Sequence, residues 1–99
     1  MDLSSSPIKN PAVLSRKIVD GEMVLVNADN AVSLALTTQT AVIVWEMANG
    51  NNTIQDIIKE VTRQFQDVPG TVSNDVLAFL DLLAQDGLIG FEWNEHESQ

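Results

Sequence analysis

This sequence predicts a small α+β domain, a three-stranded antiparallel sheet followed by three helices. Three observations predict it. Asp20-Gly21 stands between extended, β-branched stretches, a strong hairpin signal. The hydrophobic period changes from two to about 3.6 residues after Leu36. Two breaks, Gly50 to Thr53 and Pro69-Gly70, then divide the helical part into three.

Residues 1–11 are Ser-rich and punctuated by Pro7 and Pro11, which reads as a flexible lead-in; residues 12–93 form the domain, and 94–99 a flexible acidic tail. The first two strands, Val13 to Val19 and Glu22 to Asn27, flank the Asp-Gly turn. After a second turn at Ala28-Asp29-Asn30, the third strand, Ala31 to Leu36, alternates strictly. Val32, Leu34 and Leu36 occupy one face and Ala31, Ser33 and Ala35 the other. Thr37-Thr38 caps a first helix through Asn49, with Ala41, Val44, Trp45 and Ala48 inward and Gly50 as its stop. Thr53 and Asp56 make a capping box for the second helix, whose stripe is Ile54, Ile57, Ile58, Val61 and Phe65. The third helix, capped by Thr71 or Ser73, runs to Gln85 with Val72, Val76, Phe79, Leu80 and Leu83 inward, and Gly87 ends it. Leu88 to Trp93 reads as a short extended return. This order is the winged helix-turn-helix layout.

Composition narrows the function. Net charge is −9, and the five basic residues are Lys9, Arg16, Lys17, Lys59 and Arg63. From residue 64 onward there are seven carboxylates and no Lys or Arg. In a DNA-binding winged helix the third helix must offer positive charge to phosphates; here it offers repulsion. Nucleic acid and anionic membranes are thereby disfavoured, and a basic or neutral partner is favoured. No cysteine exists for thiolate or disulfide chemistry, the single histidine, His96, lies in the polar tail, and the five glycines sit at element ends. The chain therefore reads as non-enzymatic, without cofactor or metal. Lacking a signal peptide and any apolar run that could span a bilayer, it is assigned to the cytoplasm.

Two features point to binding instead. The third strand is a sheet edge, and Ala31, Val32, Ser33, Leu34, Ala35 and Leu36 include no charge or proline to guard it against an incoming strand. On the third helix Asp75, Phe79, Leu82 and Asp86 share one flank, apolar in the middle and acidic at both ends, as a groove for a partly basic peptide requires. Leu77 points to the far side. The plainer account is that another element covers the strand, that Asp75 only favours the helix N-terminus, and that Asp86 is a solvated charge.

The succession of the Asp20-Gly21 hairpin, Thr40-Ala41 with Val44-Trp45-Glu46, Asn49-Gly50-Asn51-Asn52-Thr53-Ile54-Gln55-Asp56-Ile57, and Asn74-Asp75-Val76-Leu77-Ala78-Phe79-Leu80 closing on Gly87-Leu88-Ile89 resembles the PqqD family from Val13 to Ile89. The resemblance implies a precursor-peptide recognition domain. In that family the leader segment of a ribosomally made peptide adds as a strand to the third strand, lies against the third helix, and is presented to a modifying enzyme. That enzyme is a radical S-adenosylmethionine enzyme in the quinone pathway; related domains serve lasso-peptide and other maturation systems with a leader peptidase or cyclase. Two other readings remain open, an interaction module for a folded protein partner and a winged-helix DNA-binding regulator.

Overall fold

The computed structural model describes residues 3–65 and 69–91. In chain order the elements are β1 (Ile8–Lys9), β2 (Val13–Lys17), β3 (Met23–Asn27), β4 (Ser33–Leu36), α1 (Gln39–Met47), α2 (Ile54–Phe65), α3 (Pro69–Gln85) and β5 (Ile89–Gly90). The antiparallel sheet β2-β3-β4 followed by three helices matches the expected class, with β4 as the expected third strand. One sheet face turns to the helices: Leu25 opposite Leu34 and Met23 opposite Leu36 meet Val44, Trp45, Ile57, Leu80 and Leu83 in a single core.

Local chemistry sets the helix ends. Thr38 Oγ1 accepts from the Ala41 N–H at 3.1 Å and caps α1. At α2 the capping box is reciprocal, Thr53 N–H donating to Asp56 and Asp56 N–H to Thr53 Oγ1. α3 begins at Pro69, ahead of the Thr71 or Ser73 cap, because a proline in the first turn lacks only an N–H that the helix leaves unpaired. At its far end Leu88 N–H donates to the Leu83 carbonyl and Gly87 N–H to that of Ala84, with Gly87 at φ 73°. A Cβ there would stand 3.2 Å from Asn27 Nδ2. Gly87→Ala is therefore expected to lower stability by about 1–2 kcal/mol, read as an earlier urea midpoint with unchanged slope.

Three segments depart from the sequence reading. Residues 3–10, expected to be flexible, lie along the domain: β1 pairs antiparallel with β5, and the carbonyls of Leu3, Ser5 and Pro7 accept from the N–H groups of Gln55, Ile54 and Gly50. Two of these carbonyls thereby satisfy the amides at the start of α2. The hairpin is wider than two residues, with Ile18 N–H bonded to the Glu22 carbonyl around a turn at Val19–Gly21. The third strand starts at Ser33 rather than Ala31. Asn27 Oδ1 accepts from Asp29 N–H and Asn30 Oδ1 from Val32 N–H, so local side-chain bonds outcompete the ladder there, and Ala31 takes φ 64°. On α3, Leu77 is half-buried and packs on the core instead of facing away. The acidic tail and Trp93 lie outside the described residues.

Candidate functional site

The candidate site named from sequence is the space between β4 and α3, and two sets of contacts tie the chain on either side of it. At one end Asn27, closing β3, and Asn10 donate through Nδ2 to the Gly87 carbonyl at 2.9 and 2.8 Å, while Asn30 in the β3–β4 turn reaches the Asp86 carbonyl at 3.4 Å. At the other end, Thr38, Thr40 and Ala41 line a hollow of about 310 Å³ together with Asp75 and Phe79. β4 thus runs from the C-terminal end of α3 toward its N-terminal half. Asp75 and Asp86 are about 16 Å apart along the helix, which an extended chain covers in roughly five residues.

Register decides which backbone groups face the trough. Asn27 N–H donates to the Val32 carbonyl at 2.8 Å, which makes that the hydrogen-bonded kind of antiparallel pair. Pairs alternate, so Leu25–Leu34 and Met23–Leu36 are hydrogen-bonded too, while Val26–Ser33 and Val24–Ala35 are not. Ser33 and Ala35 consequently turn their N–H and C=O groups away from β3. Among the described residues nothing bonds to them, and the C-terminal strand β5 pairs with β1 instead of covering β4.

The six strand residues named from sequence therefore divide by role. Ser33 and Ala35 carry the free edge, and Leu34, half-buried, turns its side chain to the helical side. Leu36 is 1% exposed and belongs to the core, so its side chain is closed to a guest. Ala31 and Val32 lie in the turn before the strand. On α3, Phe79 is half-buried, Leu82 is 42% exposed and Asp75 is exposed, in line along one flank, and the half-buried Asp86 follows directly after the helix. Thr38, Thr40 and Ala41 were not expected at the site. Their place directly after the edge strand was the available signal, masked by their reading as helix cap and first turn.

The described cations lie elsewhere. Lys9 sits 5.3 Å from the Trp45 ring centroid, and burial lowers its pKa despite the nearby Glu46. Lys17 pairs with Glu46 at 3.6 Å across a second hollow on the opposite flank of α1. Arg63 grips Glu60, and this hydrogen bond holds the Glu60 carboxyl below its usual range. Among the described residues no cluster of His, Cys, Asp or Glu could hold a metal, and no helix is long and apolar enough to cross a membrane.

Residues 22–89 match the family described as Coenzyme PQQ synthesis protein D (PqqD), a span that includes β3, β4, all three helices and both ends of the trough. The chain belongs to the PqqD family. This PqqD fold is shared with two solved structures. One is TbiB1 in complex with the TbiA(β) leader peptide, TM-score 0.75 and 21% identity over 88% of this chain and 99% of that one. The other is lasso peptide synthetase B1 complexed with the leader peptide, TM-score 0.74 and 15% identity over 87% of this chain and 99% of that one. No curated protein matches the sequence.

Proposed function

We propose that this PqqD-family chain, without chemistry of its own, captures the leader segment of a ribosomally made precursor peptide and presents it to a modifying enzyme, such as a radical S-adenosylmethionine enzyme or a leader peptidase or cyclase. The leader adds as a strand to β4 and lies in the trough against α3. The observation that carries this reading is the outward set of N–H and C=O groups on Ser33 and Ala35, left free beside an apolar helix flank. Both solved structures of this fold hold leader peptides, which supports the same reading.

Magnitudes divide the work between backbone and side chains. Ordering about six guest residues costs about 6–12 kcal/mol at 1–2 per residue. The four groups on Ser33 and Ala35 return about 2–6 kcal/mol at 0.5–1.5 each. Backbone pairing fixes register but does not yield affinity alone. The remainder comes from apolar leader side chains buried against Leu34, Phe79 and Leu82, at about 1.5–3 kcal/mol each.

The test is calorimetry of the intact chain with the precursor peptide encoded beside it. Leu82→Asp, which places a charge where an apolar anchor is to be buried, is expected to weaken binding about tenfold or more. Unchanged affinity in a variant whose circular dichroism is native, or no binding by the unaltered chain, would overturn the reading.

A further inference from the structure

We infer that the hollow between α1 and α3, at the end of β4, is a specificity pocket for one arginine of the captured peptide, with Asp75 and Phe79 as its reading residues. The inference rests on peptide capture at β4 and adds which side chain is selected there.

Asp75 shares the hollow with the half-buried ring of Phe79 one helical turn away, and with Thr38, Thr40 and Ala41. Its carboxylate has no hydrogen bond or ion pair among the described residues, and α3 carries no cation to neutralise it. The hollow opens at Thr38, two residues beyond β4, so a peptide that pairs with β4 and continues past Leu36 brings a side chain to this carboxylate. An apolar one would strip its water and return nothing, and an acidic one would repel it. A basic one relieves both.

The N-terminus of α1, capped by Thr38, also borders the hollow and carries about half a positive charge. Asp75 contributes a full negative charge, so the hollow stays negative in a chain of net charge −9. Arginine is favoured over lysine by shape. Its planar fork can bond the carboxylate bidentately while the guanidinium face lies on the Phe79 ring and the aliphatic stem covers Ala41. A lysine ammonium, strongly hydrated and compact, satisfies only the charge.

Selection of a displayed library of short random peptides on the intact chain tests this. The expected result is a consensus of alternating apolar positions with arginine at one fixed spacing from them. Selection on Asp75→Asn is expected to keep the apolar pattern and lose the arginine. Selection on Asp75→Arg is expected to replace it by aspartate or glutamate. A selected arginine peptide should bind Asp75→Asn about fivefold more weakly than the unaltered chain, as suits a half-exposed pair. An apolar consensus without a basic position, or an arginine preference that survives Asp75→Asn, would overturn the pocket and leave capture standing. Failure to select any peptide would overturn capture itself, and the pocket with it.

Discussion

Ala35→Pro is expected to abolish leader capture while leaving the domain folded. The reason is register. Ala35 faces Val24 in a pair of the non-hydrogen-bonded kind, so its N–H points out of the sheet and contributes nothing to the β3–β4 ladder. Proline removes that donor and places its ring where the guest strand's carbonyl must approach, and an edge strand tolerates proline with its nitrogen toward solvent. Losing the bond and displacing its neighbours should cost about 2–4 kcal/mol, a drop in affinity of roughly thirtyfold to a thousandfold. The adjacent position supplies the opposite control. Leu34 turns its N–H toward Leu25, so Leu34→Pro breaks the ladder and is expected to unfold the sheet. Calorimetry with the precursor peptide, alongside circular dichroism of both variants, checks the pair. If Ala35→Pro binds normally, the guest does not pair with β4.

How much of this was legible in the sequence depends on which force fixed each part. The helix stripes could be read because burial imposes their period: Ile54, Ile57 and Val61 on α2, and Val72, Val76, Leu80 and Leu83 on α3, are all buried. The Thr53–Asp56 box and the Gly87 stop were legible because each motif has its own residue signature. The alignment of Asp75, Phe79 and Leu82 along α3, with Asp86 directly after its end, follows from the same period. The strap before β2 was not. Its docking uses the carbonyls of Leu3, Ser5 and Pro7, groups that every residue carries, so composition could not reveal it. The start of β4 was missed because alternation counts side chains only, whereas Asn27 and Asn30 spend theirs on nearby backbone N–H groups. Nor does alternation say which edge groups face outward, and that parity is what turns the N–H and C=O groups of Ser33 and Ala35 away from β3.

Asn27→Ala is expected to damage stability and peptide affinity together, because one buried side chain serves both. Asn27 is 2% exposed, donates to the Gly87 carbonyl at 2.9 Å and accepts from the Asp29 N–H at 2.8 Å. Its removal leaves the Gly87 carbonyl held only by Asn10 and frees the β3–β4 turn from the end of α3. Two lost part-buried bonds should cost about 1–3 kcal/mol, a sizeable share of the roughly 5–15 kcal/mol that holds a small domain together. The companion contact from Asn30 to the Asp86 carbonyl is exposed and 3.4 Å long, so Asn30→Ala, which also removes the exposed 2.9 Å bond from Val32 N–H, should cost only about 0.5–1.5 kcal/mol. Asn27 is thus the stronger of the two ties between the β3–β4 turn and the chain at the C-terminal end of α3. Losing it lets the trough widen, and a guest must then close it again at the expense of its own binding energy. Urea unfolding measures the first effect, and peptide titration well below the unfolding midpoint measures the second on molecules that remain folded. Should stability fall while the affinity of the folded fraction stays constant, the asparagine would be a tie for the core alone, and the width of the trough would have to be set from the Thr38 end.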